Sequence, residues 1–228
     1  LSLPKPGAAR PSVSVTSNTL EEPTAPTPVQ DIAASYTLIQ SAKELEQWLR
    51  DAYETGELAI DTETTGLTPA RAKLVGISLA TRPGRACYIP VGHGQGGGDL
   101  FGNIEQKSHI KQPPLNEIVA GLKEICADDS VLKIGHNLKF DLQMLQMVGL
   151  NLRAIHDTML LSYVLDGTQH GHGLDELALL LCGHKMITYD EVTGTGKSRI
   201  SFADVPLDKA CDYAAEDADF TLRLFHNL

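Results

Sequence analysis

The chain has 228 residues, of which 42% are hydrophobic and 21% charged, and its formal net charge is −10. This composition is typical of a globular protein with one well-buried domain of about 150–200 residues plus an extension. The sequence contains no run of eighteen apolar residues and no basic segment leading into an apolar one, so it predicts neither a membrane span nor a secretory signal. The acidic balance argues against a protein that grips duplex DNA through a broad basic face.

The first 34 residues differ in composition from the rest of the chain. Six of the twelve prolines fall within the first thirty residues, and no aromatic residue occurs before Tyr36. Such a segment cannot bury enough apolar surface to fold. We therefore predict a flexible linker over 1–34 and a folded domain over 35–228. A chain that starts at Leu1 with a linker suggests a fragment tethered to something upstream.

The first half of the folded domain predicts a helix and four strands. A strand over 36–39 precedes a helix that begins at Ser41, where Glu44 completes a capping box, and ends near Gly56. Apolar strands follow over 58–63, 73–80 and 86–91. A Pro-Gly turn separates the last two strands, so these three consecutive strands are expected to form an antiparallel meander.

The second half alternates helices with one strand. The glycine-rich stretch 92–111 predicts a surface loop, and a helix is expected over 114–127. The strand over 131–136 runs directly into a helix, which favours a parallel partner beside the 58–63 strand. Further helices are predicted over 158–165, over 174–182 and from Leu207 to the end. This order indicates an α/β sandwich with a mixed central sheet.

The four cysteines are spread through this domain without a Cys-x-x-Cys pair. They are expected to be reduced, buried side chains, which is typical of an intracellular, reducing compartment. They are Cys87, Cys126, Cys182 and Cys211.

Two carboxylates mark the end of the 58–63 strand. Asp61 and Glu63 are two residues apart, so their side chains share one face of the strand. Holding two anions so close is costly unless a cation lies between them, and oxygen ligands of this kind suit Mg²⁺ or Mn²⁺ rather than Zn²⁺. The alternative from the residues alone is a strand end with two solvated acids.

Two later pairs are each ambiguous by themselves. Asn137 and Asp141 share a face at a predicted helix start, where a helix cap with an acid in the first turn is the simpler explanation of the pair taken alone. Tyr213 and Asp217 are one turn apart on the last helix, beside small residues that would let this helix approach the central strand. A solvated acidic helix is the alternative.

Taken together and in this order, the three pairs resemble the motifs of the DnaQ-like (DEDD) 3′–5′ exonucleases that carry tyrosine in the third motif. The likeness extends to the proofreading domain of bacterial family A DNA polymerases and covers Tyr36 to Leu228. It implies a ribonuclease H-like α/β fold, with a mixed sheet, an antiparallel meander and flanking helices. The stretches that carry it are 61–64, 88–91, 137–141, 157–160, 194–197 with Phe202, and 213–219.

The resemblance implies a catalytic site that holds two divalent cations, Mg²⁺ or Mn²⁺. In the family pattern Asp61, Glu63 and Asp217 hold one ion, and Asp61 and Asp141 hold the other. Such ions clamp the attacking and leaving oxygens of a phosphoryl transfer. Tyr213 is expected to orient the attacking water with Glu63 rather than to act as the base, because its unperturbed pKa is about 10.

The resemblance also implies contacts with the substrate. Leu67 would wedge against the terminal base and Phe202 would form an aromatic platform for it; the alternative for both is a place in the core. His136 and Asn137 would face sugars or phosphates, and Thr62 is a further predicted substrate contact. Three basic residues near the 194–196 loop either meet phosphates or are solvated. They are Lys185, Lys197 and Arg199.

These points predict a 3′–5′ exonuclease that shortens single-stranded DNA ends to 5′-mononucleotides as the proofreading module of a DNA polymerase I-type enzyme. A polymerase domain is expected after Leu228 and a further domain before the linker, in the bacterial cytoplasm at the nucleoid, without contact with a membrane. A ribonuclease D-like exonuclease that trims RNA is one alternative. A degenerate domain that only binds single strands or scaffolds its neighbour is the other.

Overall fold

A computed structural model describes residues 34–94 and 110–228 of the chain. Nearly all of the predicted linker and most of the predicted loop over 92–111 lie outside these residues, so both stay predictions. Within the described part, no helix has the length and apolar character that a membrane crossing would need.

The centre of the domain is a six-stranded mixed sheet in the order β1-β4-β3-β2-β5-β6. The meander β2-β3-β4 is antiparallel, while β5 lies parallel to β2, β6 parallel to β5, and β1 parallel to β4. The predicted meander, the parallel strand and the mixed sheet are therefore confirmed. The strands are β1 Ser35–Leu38, β2 Glu57–Thr64, β3 Leu74–Arg82, β4 Arg85–Pro90, β5 Leu132–Gly135 and β6 Ile155–Asp157.

Seven α-helices of the described residues surround this sheet, and every predicted helix is among them. The strand β6 and the helix α6 were not predicted from the sequence, because three and five residues are too few to show a period. The helices are α1 Ala42–Thr55, α2 Leu115–Ala127, α3 Lys139–Met147, α4 Thr158–Asp166, α5 Leu174–Cys182, α6 Tyr189–Thr193 and α7 Leu207–Asn227.

The ends of α1 show how local chemistry sets a helix boundary. The Glu44 carboxylate accepts a hydrogen bond from the Gln40 backbone N–H at 2.8 Å, while the Ser41 side chain makes no capping bond. The predicted capping box is thus only half formed. Gly56 ends the helix in the left-handed region at φ 74°, a conformation that glycine adopts without steric cost.

The two faces of β2 pack against different helices. Leu58 and Ile60 are fully buried in the core that α1 and α2 cover, whereas Ala59 packs against Ala215 and Ala218 of α7. Because side chains alternate along a strand, Asp61 and Glu63 continue the Ala59 face. The apolar pattern of β2 therefore directs both carboxylates towards α7.

A glycine in β3 makes room for a buried tyrosine beneath this face. Gly76 pairs with Glu63 on one side and with Pro90 on the other. A Cβ at Gly76 would lie 2.1 Å from the Tyr88 hydroxyl, a distance that no real contact allows. Tyr88 is fully buried, and its hydroxyl lies 2.8 Å from Nε2 of His93. The ring therefore lies next to the acidic end of β2.

A buried ionic cluster fixes the position of α7 on the sheet. The Asp219 carboxylate, which is fully buried, accepts hydrogen bonds from the Tyr36 hydroxyl at 3.1 Å and from the Gly84 backbone N–H at 2.7 Å. It also pairs with Arg223 one turn further along α7 at 3.0 Å. These bonds join α7 to β1 and to the β3–β4 turn.

Candidate active site

The site begins where β2 extends beyond the end of its parallel neighbour, β5. Within the described residues, pairing of β2 with β5 ends at Ala59 and Ile134. Beyond that point the edge of β2 faces the start of α3 rather than a strand. The Asp141 carboxylate oxygen Oδ1 accepts the Thr62 backbone N–H at 3.2 Å and the Thr62 hydroxyl at 2.5 Å. Asp141 therefore takes the place of a strand partner and lies beside Asp61.

Asp157 holds the turn that brings α3 to this edge. Its carboxylate accepts the backbone N–H groups of Asn137 at 3.0 Å and Leu138 at 2.9 Å, and it also caps α4 through Met159. Asn137 itself adopts a left-handed conformation with φ 59°. The residue before α3 is Leu138, which makes no side-chain cap bond, so the interpretation of Asn137 as a simple helix cap is wrong.

The capping role of Asp157 towards α4 was readable from the sequence, since an Asp before an apolar helix is a common start signal. Its second set of bonds, to the turn before α3, links positions about twenty residues apart. No local pattern in the sequence indicates them.

The last helix supplies the remaining acid from above the sheet. Tyr213 and Asp217 lie one turn apart on α7, over the face of β2 that carries Asp61 and Glu63. Ligand oxygens of Asp61, Glu63 and Asp217 lie within 4.8 Å of one another. Three of the four predicted acids thus form one compact oxygen cluster, with Asp141 at its edge.

Burial raises the pKa of these carboxyl groups. The pKa of Asp61 rises from 3.8 to about 8, first because the group is desolvated and then because of the Asp141 charge. Desolvation also raises the pKa of Asp141 to about 6, although the hydrogen bonds from Thr62 oppose this. These groups cannot all be ionised at neutral pH without a compensating cation.

The pKa values of the other two acids, Glu63 and Asp217, are raised for the same reasons. Burial, and then the charges of Asp61 and Asp217, hold the pKa of Glu63 well above its ordinary value. Burial and the charge of Asp61 likewise raise the pKa of Asp217, against the effect of a hydrogen bond from Tyr213. The pKa of Tyr213 is raised by burial first and then by Asp217 and Glu63, so its hydroxyl keeps its proton.

The acids lie in a cleft of about 620 Å³. The predicted residues Thr62, Leu67, His136 and Asn137 line it together with the four acids and Tyr213. Leu67 is 92% exposed at the rim, which excludes the interpretation of this residue as core. The polar groups of Thr62 already serve Asp141, so this residue positions a carboxylate rather than offering free donors to a substrate.

His136 is held against the start of α4. Its Nδ1 lies 2.8 Å from the Thr158 hydroxyl, which in turn donates to the Gly135 carbonyl at 3.2 Å. Burial lowers the pKa of His136, so the ring is neutral near pH 7. It therefore offers a fixed, uncharged edge to the cleft.

Phe202 is the predicted site residue that does not reach the cleft. It is fully buried against Tyr88 and Ala210, so neither face of its ring is open to a base. The exposed aromatic residue of the cleft is Tyr189, which is 38% exposed and lies nearly parallel to Phe202 with ring centroids 6.2 Å apart. Phe202 packs behind Tyr189. On this geometry Tyr189, not Phe202, is the ring on which a base could stack.

Tyr189 was not predicted from the sequence, but a signal for it exists. Thr188 and Glu191 form a capping box in which each side chain bonds the backbone of the other. This pattern fixes the start of α6 and places Tyr189 at its first position. The short length of α6 hid the pattern.

The fold is thus a mixed α/β sheet with a cluster of carboxylates at the end of its central strand. The structure of Escherichia coli RNase D, an exoribonuclease, is similar with a TM-score of 0.61 and 19% identity, covering 84% of this chain and 44% of that one. At this identity the likeness shows the ribonuclease H-like fold alone.

The family follows from the sequence comparisons. Residues 36–228 match the family described as 3′–5′ exonuclease. The chain is 42% identical to DNA polymerase I of Rhizobium leguminosarum over 201 residues (84% of this chain, 20% of the relative). It is 35% identical to DNA polymerase I of Pseudomonas aeruginosa over 207 residues (90% and 21%). The chain belongs to the 3′–5′ exonuclease domains of family A DNA polymerases, and it spans about a fifth of the length of these relatives.

Proposed function

We propose that this domain is a two-metal-ion 3′–5′ exonuclease that hydrolyses single-stranded DNA ends to 5′-mononucleotides. The observation that carries the proposal is the convergence of four buried or half-buried carboxylates, from β2, α3 and α7, in one open cleft. Their raised pKa values mean that the ionised carboxylates are destabilised in the cleft when no cation is bound, which favours cation binding.

The donor set fits small, hard divalent cations. The cluster of Asp61, Glu63 and Asp217 offers oxygen atoms only, which favours Mg²⁺ or Mn²⁺ over Zn²⁺. Following the family pattern, these three residues would hold one ion, and Asp61 with Asp141 the other. Bound ions supply an activated water at neutral pH and charge stabilisation for the attacking and leaving oxygens.

The role of Tyr213 follows from its proton. Because its pKa is raised, the Tyr213 hydroxyl keeps its own proton and cannot take another from water. It can still hold a water molecule in place by hydrogen bonding. Glu63 lies in the same oxygen cluster, and its carboxylate would accept a hydrogen bond from that water. The two residues together orient the attacking water towards the scissile phosphate.

The surface of the cleft supports a frayed single strand as substrate. Leu67 offers an exposed apolar side chain at the rim, and Tyr189 offers an aromatic ring inside the cleft. Stacking of a base on an aromatic ring contributes about 1–3 kcal/mol. A terminal base held between them requires a strand whose last nucleotides are unpaired.

The proposal extends to the parent protein. Since the matched residues make up about a fifth of these DNA polymerases, the domain acts as a proofreading module, with a polymerase domain after it and another domain before it. Its partner is the 3′ end of single-stranded DNA, and its place is the bacterial cytoplasm at the nucleoid.

The test is degradation of a 5′-labelled single-stranded DNA oligonucleotide with Mg²⁺, Mn²⁺ or EDTA, beside an RNA oligonucleotide of the same sequence. A ladder that shortens from the 3′ end of DNA, and that EDTA abolishes, supports the proposal. Preferential shortening of RNA would favour the ribonuclease D-like alternative instead. Binding of the strand without cleavage under every condition would overturn the exonuclease and leave a degenerate binding domain.

A further inference from the structure

One basic side chain reaches into the acidic cleft. Among the described residues that line it, Arg199 is the one with a permanent positive charge, and the four carboxylates line the same cleft. Arg199 follows the short 3₁₀ turn Gly196–Ser198, in the segment between α6 and α7. No part of the metal-binding arrangement uses this residue, so its presence at the cleft needs a separate explanation.

The Arg199 guanidinium lies over the aromatic ring of Tyr189. Its centre lies 5.7 Å from the centroid of the Tyr189 ring, and it pairs with the carboxylate of Asp190, the next residue of α6. The backbone bond from Ile200 to the Thr193 carbonyl at 2.9 Å closes the segment back onto α6. Arg199 therefore sits next to the ring on which the terminal base would stack.

The pairing with Asp190 leaves the guanidinium available. The side chains of Arg199 and Asp190 are 45% and 54% exposed, and an ion pair this exposed to water contributes about 0–1 kcal/mol. A phosphate can replace or share such a partner at little cost. Guanidinium groups also match phosphate oxygens in a bidentate geometry that a lysine cannot reproduce.

A single strand in the cleft would bring more charge than the metal ions could neutralise. Ions held by the four carboxylates would act at the scissile phosphate, and the neighbouring phosphates of the strand would still face acidic side chains. Like-charge repulsion at these positions would weaken binding unless a cation offsets it. Arg199 is the residue placed to do so.

We propose that Arg199 is a substrate-positioning residue that binds a phosphate of the strand whose terminal base lies on Tyr189. This rests on the proposed function of the cleft. Arg199 thereby fixes the register of the strand relative to the carboxylates.

The test measures binding directly. The probe is a fluorescein-labelled single-stranded DNA oligonucleotide in Ca²⁺, with its integrity checked, and the dissociation constant is measured against NaCl concentration. We expect Arg199→Gln to weaken binding about tenfold, as for loss of one charged hydrogen bond, and to reduce the slope of log K against log salt by about 0.7, as for loss of one phosphate contact. Arg199→Lys should keep most of the slope.

The chain offers a matched control. Arg153 forms an exposed pair with Asp129, with side chains 63% and 60% exposed, and it does not line the cleft. Arg153→Gln removes the same net charge and should leave both affinity and salt slope unchanged. An equal effect of Arg153→Gln and Arg199→Gln would show a general charge effect and overturn the proposal.

A further variant separates phosphate binding from a structural role of the ion pair. Asp190→Asn breaks the pair but keeps the Arg199 charge, so it should retain the salt slope. If Asp190→Asn reproduced the defect of Arg199→Gln, the pair would only be shaping the loop and the proposal would fail. An Arg199→Gln variant that binds like the wild type would also overturn it.

The cleavage assay keeps the two proposals apart. If the wild-type protein degrades DNA and the Arg199→Gln variant binds and degrades it equally well, the role of Arg199 is wrong and the exonuclease proposal stands. Wild-type protein that binds the strand without cutting it would sink the exonuclease, while the salt slopes still decide whether Arg199 contacts phosphate. With cleavage present, the defect should appear in KM more than in kcat.

Discussion

Thr62 gives both its backbone N–H and its hydroxyl to the same oxygen of Asp141. The first bond replaces the strand partner that β2 loses where β5 turns away, and the second fixes the carboxylate rotamer. A residue from the central strand thus positions an acid that lies 79 positions further along the chain. This link connects the fold of the sheet to the geometry of the acidic cleft.

Replacement of Thr62 by Val tests this link, because Val keeps the shape of the side chain and removes the hydroxyl. We expect kcat/KM to fall about 10–100-fold, the usual range for partners that orient metal-binding residues. The metal concentration for half-maximal activity should rise as well. Thr62→Ser keeps the donor and should stay within about threefold of the wild type. Equal activity of the Val and Ser variants would contradict the positioning role.

The stability of the metal-free protein should fall as pH rises. The pKa values of Asp141 and Asp61 are raised in the folded state to about 6 and about 8, from 3.8. The unfolded chain therefore loses these protons near pH 4, while the folded protein holds them, so folding free energy is lost progressively from pH 4 to 8.

Thermal unfolding in EDTA at pH 5 and pH 8 measures this loss. We expect Tm to be lower at pH 8 by about 4 °C or more, since each kcal/mol shifts Tm by about 2–4 °C in a domain of this size. Addition of Mg²⁺ or Mn²⁺ should raise Tm at pH 8 and change it little at pH 5, because metal ions and protons compete for the same oxygens. A metal effect that is independent of pH would contradict the assignment of these acids as ligands.

Asp217→Asn should separate catalysis from stability. It removes one charge from the cluster of Asp61, Glu63 and Asp217 without changing its shape. Exonuclease activity should fall at least about 10²–10³-fold, while Tm in EDTA at pH 8 should rise relative to the wild type. Near-normal cleavage by this variant, or by Asp61→Ala, would contradict the proposed mechanism.

The roles of Tyr189 and Phe202 can be told apart by two readouts. Tyr189→Ala should weaken single-strand binding by about 1–3 kcal/mol, as for loss of a stacking platform, with a small effect on Tm because the ring is partly exposed. Phe202→Ala should instead cost about 3–5 kcal/mol of folding free energy, since this ring is fully buried. Tyr189→Phe keeps the stacking face and serves as the control. If Phe202→Leu, which fills most of the space, impaired binding as much as Tyr189→Ala, Phe202 would be the direct contact.

Much of the fold could be predicted because its elements are long enough to show a period. The strands of the meander and the helices α1, α2 and α7 each repeat apolar residues over two or more turns or pleats. The strand β6 and the helix α6 could not be found in this way. Parallel pairing of β1 with β4 joins segments about fifty residues apart, so no local signal shows it.

By itself the sequence determined which candidate residues share a face within one element. The alternation of β2 fixes Asp61 and Glu63 on one face, and the helical repeat of α7 fixes Tyr213 and Asp217 on another. These relations need only the geometry of one element. They hold wherever the element lies.

The tertiary structure alone decided how these faces meet. The hydrogen bonds of Asp219 set the position of α7, and those of Asp157 direct α3 towards the open edge of β2. Phe202 is buried behind Tyr189. Each of these outcomes depends on burial and on hydrogen bonds between distant segments. Residue spacing constrains contacts within one helix or strand, whereas contacts between elements depend on how the whole core packs.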